Sequence, residues 1–177
     1  MLGGVIRSIL NMTAPPTADF FMLLNTMTAS NSTSLDDASS IGLAYDLYFI
    51  EIENLVPVNS GVNILVRIST DAGLTWKSSN YLDPSGNTDG IYLNVITAVD
   101  NINGAGISSA GYLSGPNQTD RKKMIWGNSI LSAGSTAVGT GFGGWWNAAN
   151  TAVNGIRVIA SSGNLSTGKV RLYGIAT

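Results

Sequence analysis

Residues Val62 to Trp76 constrain the fold of this chain more tightly than any other stretch. Val62, Ile64, Val66 and Ile68 alternate with Asn63, Leu65, Arg67 and Ser69, and a period of two sends successive side chains to opposite faces of a strand. The first set is expected to face inward and the second outward. The alternation ends in Ser69-Thr70-Asp71-Ala72-Gly73-Leu74-Thr75-Trp76. Here the Asp71 carboxylate can accept hydrogen bonds from its own turn, and Gly73 supplies the positive φ that reverses the chain. The spacing predicts a hairpin with Leu74-Thr75-Trp76 as the returning strand and Trp76 covering one face. Ser69, Asp71, Gly73, Thr75 and Trp76 are therefore expected to be structural residues of the turn.

Further strands are expected over Ala44 to Asn54, Ile91 to Thr97, Lys123 to Trp126, Gly155 to Ala160 and Gly168 to Ala176. In the first of these, Tyr48, Ile50 and Ile52 share one face, while Leu47, Phe49, Glu51 and Glu53 share the other. Asp83-Pro84-Ser85-Gly86 and Asp89-Gly90 are turn sequences, with Pro presetting φ and Gly accepting the left-handed residue. Hydrophobic residues make up 44% of the chain, charged residues only 11%, and there are 21 glycines; long solvated helices are not built from such a mixture. These features predict an all-β chain, an antiparallel β-sandwich of jelly-roll type over residues 41–177. Residues 1–40 read as an extended N-terminal arm. Their apolar clusters at Val5-Ile6, Ile9-Leu10 and Phe20 to Leu24 are broken by Pro15-Pro16 and lead into a Ser/Thr/Asn-rich stretch, so the arm is expected to anchor the protein or pack on another subunit.

With no histidine and no cysteine among 177 residues, the chain cannot build a Ser-His-Asp triad, a thiolate nucleophile or a histidine- or thiolate-ligated metal centre. No cofactor is expected. Nine lysines and arginines stand against eleven acidic residues, which leaves no electrostatic footprint for nucleic acid. Arg121-Lys122-Lys123 is the one basic run, and beside Asp120 it reads as a strand entrance or subunit contact. No apolar run is long enough to span a bilayer, and the N-terminal stretch does not read as a secretory signal peptide.

Other motifs carry less. Gly139-Thr140-Gly141-Phe142-Gly143-Gly144 satisfies G-x-G-x-x-G, but no βαβ context surrounds it and Trp145-Trp146 falls where a helix would begin. Residues Gly139 to Asn150 are expected to form a flexible loop whose Phe142, Trp145 and Trp146 contact something outside the subunit. Glu51 with Glu53, and Asp36 with Asp37, are the carboxylate pairs available for glycoside hydrolysis; neither pair is persuasive, and Glu51 with Glu53 reads as ordinary surface of an exposed strand. Asp71 would suit Ca²⁺ only where further oxygens converge on it. Four Asn-x-Ser/Thr triplets are expected from composition alone.

Ser69 to Trp76 matches S-x-D-x-G-x-T-W at every specified position and resembles the Asp-box of sialidases and other secreted β-proteins, where it lies away from the catalytic centre. Several segments in order along the chain resemble bacteriophage structural proteins: Tyr45-Asp46-Leu47-Tyr48, Ile52 to Pro57, Leu65 to Trp76, Gly155-Ile156-Arg157-Val158, Ser161-Ser162-Gly163-Asn164 and Gly168 to Gly174. These relatives are tail-fibre, tail-tip and head-fibre or decoration modules. The resemblance implies a non-enzymatic module displayed on a virion, commonly as a homotrimer, which contacts other virion proteins and a host-surface glycan. A capsid decoration or cement protein is the alternative, and a small glycan-active hydrolase a third reading that rests on the box alone. No catalytic residue is carried over.

Overall fold

The computed structural model describes residues 20–42 and 44–176, except the side chain of Asn103. Its strands are β1 (Phe21–Thr28), β2 (Leu35–Asp37), β3 (Leu47–Pro57), β4 (Ile64–Ser69), β5 (Tyr81–Leu82), β6 (Ile91–Tyr92), β7 (Ile107–Ser114), β8 (Met124–Ala133), β9 (Thr136–Trp146), β10 (Gly155–Ala160) and β11 (Leu165–Ile175). A single turn of 3₁₀ helix, Ile102–Gly104, precedes β7. The strands form two antiparallel sheets, one of seven in the order β1-β11-β3-β7-β8-β9-β5 and one of four in the order β2-β10-β4-β6. The chain is thus an all-β, two-sheet sandwich, as its period-two patterning predicts.

The two sheets are stitched in step. The connections β1 to β2, β3 to β4, β6 to β7 and β10 to β11 each cross from one sheet to the other. The partners in one sheet, β1-β11-β3-β7, therefore mirror β2-β10-β4-β6 in the other. The β8–β9 hairpin and β5 extend the larger sheet past β7. Between the sheets lies one core, to which Tyr48, Ile50 and Ile52 of β3, Ile64, Val66 and Ile68 of β4 and Ile156 and Val158 of β10 all contribute.

Several expectations are corrected. Leu74-Thr75-Trp76 is not a strand: after the box the chain touches β4 through one backbone bond, from Lys77 N–H to the Ile68 carbonyl at 2.9 Å, and then moves to the other sheet as β5. Strand β6 covers only Ile91–Tyr92 of the stretch to Thr97. Leu65 and Ser69, expected outside, are fully buried. Over Leu65 the chain is pinned where Arg67 Nε donates to the Asp89 carbonyl at 2.8 Å, and Gly90 comes so close that a Cβ there would fall 2.4 Å from the Leu65 Cδ1; Ser69 is enclosed by its own turn and Gly155.

The sandwich also begins before residue 41. Residues 20–40 belong to the sandwich, with β1 paired to β11 and β2 to β10, while 1–19 lie outside the described residues. Buried Asp37 ties these first two strands together. It accepts from Asn25 Nδ2 at 2.6 Å, from the Ser40 hydroxyl at 2.6 Å and from the Ser39 and Ser40 N–H groups. Burial alone would raise its pKa, but these donors outweigh it and hold the carboxyl below its ordinary value.

Residues Gly139 to Trp146 are not a loop but most of β9. Phe142 points inward and is buried, its ring passing over two glycines of neighbouring strands. A Cβ at Gly111 or at Gly127 would lie 2.8 Å from its Cζ. Those glycines make the room that a phenylalanine in a strand interior needs.

Candidate functional site

Cross-strand register assembles the most distinctive surface of the molecule, the outer face of the seven-stranded sheet. Leu23 pairs with Tyr173, Tyr173 with Phe49, Phe49 with Tyr112 and Tyr112 with Trp126. Directly opposed residues share a face, so five strands contribute one continuous apolar row with four rings in succession. The rings touch: Tyr173 and Phe49 have centroids 5.8 Å apart, Phe49 and Tyr112 5.3 Å, and Tyr112 and Trp126 4.8 Å, the last pair inclined by 31°. Phe21 meets Phe49 edge-on at 5.4 Å.

A second row lies two residues along and comprises Phe21, Ile175, Leu47, Ser114, Met124, Trp145 and Leu82. Leu23 (51% exposed), Trp126 (50%) and Met124 (47%) keep about half their area in water, although side chains of this kind are ordinarily covered. Beside the rows is a shallow depression of about 750 Å³ lined by Phe21, Phe49, Glu51, Asn128, Ile130 and Tyr173.

The polar groups bordering this face are satisfied within the chain. Arg171 lies 3.3 Å from Glu51 and also bonds Glu53, while the Tyr173 hydroxyl donates to Glu51 at 2.8 Å. The Arg171 guanidinium holds the Glu53 carboxyl below its ordinary value. Glu51 and Glu53 are thus an ion-paired border, and the Glu53 carboxyl is shifted away from the raised value of a glycosidase proton donor. Asp36 is likewise engaged by the Arg157 fork at 2.6 and 2.8 Å, and Asp37 by its turn. The Arg121-Lys122-Lys123 run is spent locally. Arg121 pairs with Asp120 at 2.8 Å, Lys122 donates to the Asn147 carbonyl at 2.8 Å, and Lys123 is buried with its ammonium on the Arg121 and Asn150 carbonyls.

The box residues lie on the other sheet and converge on their own turn. The Ser69 hydroxyl donates to Asp71 Oδ1 at 2.7 Å and accepts from the Gly73 N–H at 2.9 Å. Asp71 Oδ1 accepts from the Thr75 N–H at 2.9 Å, and its Oδ2 takes the Thr75 hydroxyl. Gly73 has φ +81°, as a reversing glycine should, and Ala72 joins it at +53°. The Ala72 N–H is taken by Asn154 Oδ1 at 2.8 Å, which moors the turn to the segment entering β10. Both Asp71 oxygens are thereby occupied by hydroxyl and N–H donors, and among the described residues no cluster of three or more acidic side chains converges on a cation.

Two expectations follow for this turn. The Thr75 hydroxyl and N–H, then the Ser69 hydroxyl, push the Asp71 carboxyl from its ordinary 3.8 to about 2. A value depressed on folding stabilises the protein above the unfolded pKa, and that contribution is lost as pH falls through the folded one. Wild type and Asp71→Ala should therefore differ in Tm at neutral pH, and the gap should narrow as pH is lowered towards 2. A constant gap would mean that the carboxylate is not the group that matters. Trp76 is half-buried, with the Arg157 guanidinium 4.6 Å from its ring centroid and Gly73 and Gly155 against the ring. Trp76→Ala should cost about 2 kcal/mol in chemical denaturation, less than the about 3–5 of a fully buried ring.

Of the expected contact residues, Phe142 belongs to the core, and the remaining two split by face. Trp145 stands on the outer face between Met124 and Leu82. Trp146 packs against the core and donates from Nε1 to the Ser79 carbonyl at 3.0 Å. The residues that dominate the face, Phe21, Leu23, Phe49, Tyr112, Trp126 and Tyr173, escape a reading of the sequence because no two of the last four come from the same strand. The available signal is the aromatic side chain on the supposedly polar face of a strand, as at Phe49. Compared with known protein families, curated proteins and solved structures, the chain matches none of them.

Proposed function

We propose that this chain is a structural module of a bacteriophage virion, of fibre or tail-tip type, that acts by binding and assembly and not by catalysis. The observation that carries the reading is the strand order. The order β1-β11-β3-β7 in one sheet over β2-β10-β4-β6 in the other parallels the eight-stranded jelly-roll plan used by viral capsid and lectin domains. The reading is supported by the phage-like segments of the sequence and by the ion-paired state of its candidate carboxylates. In it, residues 1–19 anchor the module, the protein assembles as a homo-oligomer, and part of its surface contacts host glycan.

Gold-labelled antibody applied to intact particles tests the assignment. Label at the tail tip or fibres is the expected result; label confined to the shell would make the protein a capsid decoration or cement protein, and unlabelled particles would remove it from the virion. Incubation with bacterial surface polysaccharides should retain the glycan without releasing shorter products. Turnover abolished by removing a carboxylate would replace a binding role with a hydrolase.

A further inference from the structure

We infer that the outer face of the seven-stranded sheet is where a second copy of this chain packs, centred on Trp126. The inference rests on the assembly role proposed above and names the surface that carries it.

The size of the face fits such a partner. Its six long strands, each about 4.8 Å wide, span about 29 Å, and eight residues of strand run about 27 Å. The resulting footprint of about 800 Å² is what one partner contributes to a stable protein interface. Its chemistry points the same way. The centre holds four touching rings flanked by Leu23 and Met124, whereas at the border Arg171 and Lys169 stand against Glu51 and Glu53, two charges of each sign. A charged partner would find no net charge to pair with on such a surface. Another copy of the same apolar, neutral surface matches it. The rings are also packed edge-to-face and tilted against one another, so each already covers part of its neighbour's face, the face on which a sugar would stack. That arrangement favours a protein surface over a glycan as the occupant.

The shape beside Trp126 suits self-packing. The outward residues of β9 next to it are Gly139, Gly141 and Gly143, none with a positive φ. A Cβ would come no nearer to any neighbour than 4.0 Å at Gly139, 3.7 Å at Gly141 and 3.4 Å at Gly143. The fold therefore does not require glycine at these positions, unlike at Gly111 and Gly127. A protruding indole thus lies next to bare backbone, and the Trp126 of one copy has a floor to rest on in the other.

Light scattering of the full chain, from micromolar to hundreds of micromolar, is the test. Wild type should scatter as an assembly of two or more 18.4 kDa chains. Trp126→Glu, which places a charge on the face, and Gly141→Val, which fills the floor with a good strand former, should each weaken association by about 30-fold or more while retaining the far-ultraviolet spectrum of the folded sandwich. A monomeric wild type overturns the inference. So does an assembly that survives both substitutions, and so does one lost on Ile9→Asp but kept in Trp126→Glu, which would give the contact to the N-terminal segment. None of these outcomes bears on whether the protein lies on a virion, which the antibody experiment decides separately.

Discussion

Phe142→Ala destabilises the protein by about 3–5 kcal/mol, the range for deleting a buried ring, and lowers Tm by roughly 10 °C or more. The upper part of that range is expected because the vacated space has no one to fill it. The ring lies over Gly111 and Gly127, which have no side chains to move in, and the surrounding backbone is held on both sides by the pairings of β8 with β7 and β9. Equilibrium denaturation should show a lower midpoint with an unchanged slope. A loss below about 1 kcal/mol would mean that Phe142 turns to solvent, and would restore it to the exposed contact group in which the sequence places it.

Gly127→Val has the larger effect, leaving little folded protein. A Cβ at this position would lie 2.2 Å from the Ala110 carbonyl oxygen and 2.5 Å from the Gly111 Cα. Both are backbone atoms of β7, so no rotamer change relieves the contact and the β7–β8 ladder must part. The cost exceeds about 4 kcal/mol, in the range reached only by specific structural conflicts. Soluble yield and the near-ultraviolet spectrum are the measurements. The same change at Gly141, on the next strand and the opposite face, serves as control: two glycines separated by one hydrogen-bonded neighbour should respond in opposite ways. Equal tolerance at both positions would contradict the packing described for β7 and β8.

What the sequence discloses depends on whether one strand suffices to reveal it. The alternations over Val62 to Ser69 and around Tyr48, Ile50 and Ile52 identify β4 and β3 with their inward faces, and the Ser69 to Trp76 turn is legible because its donors and acceptors lie within seven residues. Strand β7 is hidden, since Ile107-Ser108-Ser109-Ala110-Gly111 carries little bulk and Gly111 is small for the sake of a ring thirty-one residues away. Strand β9 reads as a loop for the same reason: its glycines look like freedom until β8 is placed beside them. The aromatic face is invisible until register is known, because its rows run perpendicular to the chain.

The pairing of β1 with β11 has a consequence for synthesis. Residues 21–28 leave the ribosome well before their hydrogen-bonding partner, residues 169–175, with every other strand of the sandwich made in between. The central neighbour β3 also waits for β11 on one of its edges. Closing such distant pairings is slow, so the Phe20 to Leu24 run waits through the synthesis of all the intervening strands without the one that holds it. During that interval the nascent chain presents an unpaired, uncharged apolar edge of the kind that nucleates aggregation. Its yield in the cell will therefore depend on how quickly β11 is delivered and on chaperones that occupy β1 until then.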